Sequence, residues 1–123
     1  VDTSVVVAIL RGDPAAESAA AQAEELFTSD IVLGELYYGA YNSLNPQHNL
    51  DQIRRFAESC YVLSTAPAIA HQYGVLKQAL RQAGTPIPEN DIWIAATALL
   101  HRLPLATRDR HFEHIAGLTV LNW

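Results

Sequence analysis

The chain has no methionine, and its 123 residues include one cysteine, Cys60. A disulfide framework is therefore excluded, and the fold has to rest on an ordinary core. With half of the residues hydrophobic, that is within reach of one compact domain spanning 1–123. Cys60 lies in the apolar run Cys60-Tyr-Val-Leu63, where a small buried thiol is expected rather than a reactive one. No apolar stretch approaches the roughly 20 residues that span a bilayer, and no basic-then-apolar leader opens the chain. Membrane and secretion readings drop out, and a soluble cytoplasmic protein is expected. Because the chain starts at Val1-Asp2 without a methionine, residues ahead of Val1 are expected to be missing.

Basic residues are also few. Eight Lys and Arg stand against 13 Asp and Glu, a net charge of −5, which ordinarily argues against a phosphate-rich partner. Four carboxylates gathered on one metal ion would account for four of those five charges, leaving the rest of the chain near neutral. The basic groups that exist gather late, with Arg102, Arg108 and Arg110 beside His101, His111 and His114. Overall acidity thus decides nothing about nucleic acid.

Several catalytic patterns are missing as well. No Gly-x-Ser-x-Gly elbow and no glycine-rich phosphate loop occur, which removes the usual serine hydrolase and nucleotide-switch readings. The Asp-x-Asp pair of one phosphatase class is absent, since Asp2 is followed by Thr3 and Ser4. His111-x-x-His114 has spacing a zinc site can use, but no cysteine or third histidine stands near it, so surface histidines are expected.

What is present is an alternation of helical segments with short apolar runs, the pattern of an α/β fold with a parallel sheet. Helices are predicted over Val5 to Leu10, Pro14 to about Phe27, Asp30 to about Asn42, Pro46 to about Ser59, Pro67 to Gly84, and Asp91 to about His101, the last capped by Asn90 or Glu89. Tyr61–Ser64, Leu103–Thr107 and Leu118–Leu121 read as strands, and Asp109–Ile115 as a short helical turn. Gly34 and Gly39 are read as close-packing points on the third helix. Tyr37, Tyr38 and Tyr41 are read as packing in the core or at a subunit interface rather than stacking bases.

Asp2, Asp91 and Asp109 fall where the chain turns into helix. At the carboxyl ends of strands these acids can meet in one crevice, but each taken singly is also explained by capping. Glu35 has no capping task. It lies inside a helix among apolar and small residues, with no lysine or arginine at helical spacing, so it needs either a cation or a solvent-exposed face. Converging carboxylates would repel one another, and a divalent cation with a preference for oxygen, Mg²⁺ or Mn²⁺, resolves that conflict. Such an ion can activate water and polarise a phosphoryl oxygen.

The segments Asp2-Thr-Ser-Val-Val, Ile31-Val-Leu-Gly-Glu-Leu-Tyr-Tyr-Gly-Ala40, Pro88-Glu-Asn-Asp-Ile-Trp-Ile-Ala-Ala96 and Leu105-Ala-Thr-Arg-Asp-Arg-His-Phe112 together resemble the four motifs of PIN domains, in order and over the whole chain. More narrowly the chain resembles toxins of the VapC and FitB type from bacterial toxin-antitoxin pairs. The resemblance implies a short parallel sheet flanked by helices in an α/β/α sandwich. It implies an endoribonuclease dependent on Mg²⁺ or Mn²⁺, with Asp2, Glu35, Asp91 and Asp109 as the catalytic, metal-binding quartet. Ser4, Thr107 and Asn90 match polar positions near the substrate, and Arg108 and Arg110 are candidate RNA-phosphate contacts. A homodimer and a small VapB-like antitoxin are the implied partners. The alternative is a PIN-like binding module that joins a DNA-binding partner and has little nuclease activity. Family members carry apolar residues ahead of the first aspartate as their first strand. With only Val1 in that place, Asp2 is expected to be the least secure of the four.

Overall fold

A computed structural model describes the chain from Val1 to Trp123. Six helices, α1 (Thr3–Leu10), α2 (Pro14–Gln22), α3 (Asp30–Tyr41), α4 (Pro46–Glu58), α5 (Pro67–Gln82) and α6 (Glu89–Leu100), surround four short strands. Strands β1 (Phe27–Ser29) and β2 (Tyr61–Leu63) pair in parallel, as do β3 (Leu105–Ala106) and β4 (Val120–Leu121), and a 3-10 turn covers Arg110–His114. The expected α/β class with short parallel sheets flanked by helices is what the chain adopts. No helix is long and apolar enough to cross a membrane.

Parallel strands are covered on both faces and so draw on apolar side chains from every layer. Val6 of α1, Val32 of α3, Ile69 of α5, Ala95 of α6 and Phe112 of the 3-10 turn are all essentially without solvent contact in one continuous core. The two strand pairs are joined by Val1 and Asp2. The Val1 nitrogen donates to Phe27 O at 2.7 Å, and the Asp2 amide donates to Ala106 O at 3.0 Å. Asp2 therefore sits between the two pairs, at the start of α1.

Tertiary packing overrides local propensity at several places. The helix expected to run from Pro14 to Phe27 ends at Gln22, and Phe27–Ser29 is a strand. Only Ala16 of α2 is buried, so no packed face extends that helix. Phe27 instead stacks on Tyr61 of the neighbouring strand, with ring centroids 5.1 Å apart. Helix α1 starts two residues before the predicted Val5 because Asp2 caps it, its side chain accepting from the Val5 amide. Helix α6 starts at Glu89 behind Pro88, with no side-chain cap, so Asp91 is its third residue and neither Glu89 nor Asn90 caps it. The third strand shrinks from the predicted Leu103–Thr107 to Leu105–Ala106, since Pro104 has no N–H to give, and the Thr107 amide still bonds Leu121 O at its end. The last strand shrinks from Leu118–Leu121 to Val120–Leu121.

Helix α3 also departs from expectation. Tyr38 and Tyr41 are 74% and 68% exposed, so they lie outside the core, and only Tyr37 packs partly against it. Nothing lies within 4 Å of where a Cβ would stand on Gly34 or Gly39, so neither is a close-packing point. Cys60 is half-buried rather than buried, and desolvation holds its thiol above the ordinary pKa, in keeping with an unreactive group.

The open space beside these helix glycines sets the sign of a substitution. Gly34→Ala and Gly39→Ala should each raise unfolding stability by about 0.5–1 kcal/mol, because the helix gains alanine's lower backbone entropy cost without a clash. Urea denaturation measures this, and destabilisation by either variant would mean that a close neighbour exists.

Candidate metal centre

The first acid is fixed by its cap. Asp2 Oδ1 accepts from Ser4 Oγ at 2.7 Å and from the Val5 amide at 3.2 Å, while Oδ2 accepts from Thr107 Oγ1 at 2.6 Å. The side chain is 4% exposed, and three donors hold it. The expectation that Asp2 is the least secure of the four therefore fails. Its position is set by α1 and the end of β3.

Thr107 and Ser4 extend this network to the last acid. Thr107 Oγ1 accepts from the Asp109 amide at 2.9 Å, and Ser4 Oγ accepts from the Arg108 amide at 3.0 Å. Asp109 caps the 3-10 turn, with its Oδ1 accepting from the His111 amide at 2.9 Å. Capping and convergence thus coexist at Asp2 and Asp109, because a helix N-terminus aims its cap residue into the crevice above the strand. Glu35 is half-buried on α3, and its Oε1 accepts from Thr3 Oγ1 at 2.8 Å.

Asp91 comes from α6 and meets Asp109 across a histidine. His111 Nδ1 lies 3.1 Å from Asp91 Oδ2 and 3.0 Å from Asp109 Oδ1. One ligand atom from each of the three residues fits within 4.8 Å of the others. Burial lifts the Asp91 carboxyl above its ordinary pKa; the His111 contact opposes this, and the charges of Asp109 and Glu35 add to it. Reading His111 only for its spacing to His114 missed this contact. Its place two residues after Asp109, inside the same turn, was the available signal.

This donor set fits a hard divalent cation. Carboxylate oxygens predominate, one imidazole nitrogen stands among them, and a half-buried carboxylate is held in an unfavourable field that positive charge would relieve. Asp91, Asp109 and His111 form the tight group, while Glu35 and Asp2 lie outside it, Glu35 bonded to Thr3 and Asp2 linked to the Asp109 loop through Thr107 and Ser4.

The remaining expected residues divide. Asn90 is exposed and lines an open hollow of about 500 Å³ with Thr3, Gly34, Glu35 and Tyr38. Arg110 is exposed. Arg108 is turned away from this hollow and engaged with Asp13. A separate apolar hollow of about 220 Å³, between the strand pairs, contains none of the four acids.

Comparison with known proteins shows the family. The profile described as PIN domain matches residues 1–118. The chain is 34% identical over 125 residues to Ribonuclease VapC2 of Haemophilus influenzae, covering 99% of this chain and 95% of that protein. It is 30% identical, with the same coverage, to the tRNA(fMet)-specific endonuclease VapC of Shigella flexneri. Among solved structures, VapBC2 from Rickettsia felis bound to a DNA fragment from their promoter contains a chain that superposes with a TM-score of 0.92 at 26% identity, covering 99% of this chain and 96% of that one.

The electrostatics predict opposite effects for one substitution with and without metal. At neutral pH the ionised Asp91 works against the metal-free fold, because its folded pKa is raised. Asp91→Asn should therefore leave the metal-free protein as stable as the parent or more so, and should abolish the rise in Tm that millimolar Mn²⁺ gives the parent. Differential scanning calorimetry in chelator and in Mn²⁺ checks both signs.

Proposed function

We propose that this chain, which belongs to the PIN-domain family and within it to the VapC and FitB type of toxin, is an endoribonuclease that uses Mg²⁺ or Mn²⁺, folded as one domain across 1–123. The observation that carries the reading is the meeting of Asp91 and Asp109 across His111. Asp2, Glu35, Asp91 and Asp109 are the proposed metal-holding and catalytic residues, and His111 joins them as a nitrogen ligand.

A bound divalent cation supplies positive charge for a phosphoryl oxygen and acidifies water at neutral pH. The chain's own groups do the rest. Ser4, the Val5 amide and Thr107 fix the Asp2 carboxyl group by hydrogen bonds. Thr3 sets the Glu35 carboxylate from the neighbouring helix. Asn90, at the edge of the hollow beside Glu35, offers an amide to the RNA, and the exposed Arg110 offers a guanidinium to a phosphate. In the hydrolysis, water oxygen bonds to phosphorus, the bond from phosphorus to the 3′ oxygen breaks, and that oxygen takes a proton. The products are a 5′-phosphate and a 3′-hydroxyl.

A groove of about 320 Å³ between α1, α3 and α4, lined by Val7, Leu10, Leu36 and Ile53, has Glu35 on its wall. It supports an antitoxin of the VapB kind whose apolar helix seats there with a basic side chain reaching the acids. The exposed Tyr38 and Tyr41 on α3 support a homodimer. A scaffolding part in a promoter complex is the second reading, favoured by the DNA-bound complex from Rickettsia felis.

The test is cleavage of single-stranded RNA by purified, antitoxin-free protein with and without Mn²⁺. Asp91→Asn should lower the metal-dependent rate by about 100-fold or more, and end-labelling should find 5′-phosphates. Equal cleavage by parent and variant would refute the catalytic assignment, and no cleavage by the parent would leave the scaffolding reading.

A further inference from the structure

Arg108 adjoins Asp109, yet its guanidinium does not face the acids. Nη2 and Nη1 meet the two oxygens of Asp13 at 2.9 and 3.1 Å, and Nε donates to the backbone carbonyl of Trp123 at 2.6 Å. This is a two-pronged pair, the arrangement for which arginine's planar fork is suited and lysine's ammonium is not. The guanidinium holds the Asp13 carboxyl at a pKa of about 2, with the Ala16 amide assisting. A phosphate would have to displace a carboxylate already bound by two prongs.

The other end of the same residue is bonded to the candidate centre. The Arg108 amide donates to Ser4 Oγ, which donates in turn to Asp2 Oδ1. Ser4 stands in the first turn of α1, and Asp13 lies just past its last turn. Ser4, Ala8, Arg11 and Asp13 line one hollow with Arg108, so the residue spans the side of α1 from one end toward the other. Its flanking residues complete the picture. Thr107 bonds Asp2 Oδ2, and Asp109 is one of the converging acids. One residue therefore ties α1, the loop after β3 and the segment after β4 together where two of the four acids are set.

We propose that Arg108 is a positioning residue, whose clamp on Asp13 and Trp123 fixes the Thr107–Asp109 loop against α1 and thereby sets Asp2 and Asp109 for the metal. It rests on the metal-centre reading given above. It replaces the expectation that Arg108 meets RNA phosphate, and it leaves Arg110 as the basic group available for that contact. The reason is geometric: a shift of the loop by about 1 Å misplaces donors that must converge on a single ion, even though each hydrogen bond within the loop survives.

The experiment compares Arg108→Ala, Arg108→Lys, Asp13→Asn and the charge-exchanged pair Asp13→Arg with Arg108→Asp, in the full chain. Mn²⁺ affinity is read by electron paramagnetic resonance, kcat and KM by RNA cleavage, and Tm by calorimetry. Arg108→Ala and Asp13→Asn should each weaken Mn²⁺ binding roughly tenfold and lower kcat, with KM for RNA unchanged. Combining them should be no worse than either alone, the exchanged pair should regain most of the affinity, and Arg108→Lys should fall between. The proposal is overturned if Arg108→Ala raises KM and flattens the salt dependence of RNA binding while Asp13→Asn behaves as the parent, because that is a phosphate contact. It is equally overturned if both variants lower Tm with Mn²⁺ affinity intact, or if the parent binds no Mn²⁺. Absence of RNA cleavage by a parent that binds Mn²⁺ defeats the nuclease reading alone, and the metal titration still decides the clamp.

Discussion

The carboxylate of Asp2 is buried between two pairs of strands and accepts from Ser4 Oγ, the Val5 amide and Thr107 Oγ1. A buried carboxyl group is tolerated only where such bonds replace its hydration, and here the replacements come from separate parts of the chain. Ser4 and Val5 belong to α1, and Thr107 closes β3. The Ser4 and Val5 bonds hold the carboxyl group on α1 itself, and the Thr107 bond ties it to the loop that carries Asp109. The Asp2 amide bonded to Ala106 adds a backbone tie at the same junction. The arrangement of the site follows from this requirement, since moving either element leaves a buried carboxyl or hydroxyl group unpaired.

A second constraint is repulsion. Asp91, Asp109 and Glu35 are delivered by three different elements to one crevice, and burial makes their mutual field stronger than it would be in water. His111 Nδ1 lies between two of these carboxylates and takes up part of the unfavourable charge. A single nitrogen cannot serve all three, and this leaves an arrangement to which a divalent cation adds the most. With its pKa raised, the ionised Asp91 lowers the stability of the fold at neutral pH. The rest of the fold compensates with a continuous core in which Phe112, directly after His111, is fully buried and anchors the turn.

The local character of each residue was legible in the sequence, and so were most helices. Cap residues, prolines and apolar spacing marked α3, α4 and α5 within a residue or two of their ends. What misled was propensity without partners. The alanine-rich stretch after Pro14 looked helical as far as Phe27, yet the chain leaves the helix at Gln22 because β2 offers Phe27–Ser29 better packing. Gly34 and Gly39 were read as close-packing points of α3 and turn out to face open space, and Tyr38 and Tyr41 lie outside the core, because residue type does not tell which side of a helix has a neighbour. Arg108 and His111 were judged by their sequence neighbours, and in both the deciding contact lies far off, at Asp13 and Asp91.

The sequence by itself determined the chemical inventory: which acids exist, that Glu35 has no cap to serve, that no thiol framework or phosphate loop is available, and which segments match the PIN motifs in order. Those properties depend on residue identity and short-range spacing, which covalent connection fixes. The tertiary structure decided what those residues do to one another. It made Asp2 secure, put His111 between two carboxylates, and turned Arg108 from the acids to Asp13. Hydrogen bonds and charge interactions act over a few ångströms in space, and residues 2 and 107, or 13 and 108, come within that range only when the chain has folded.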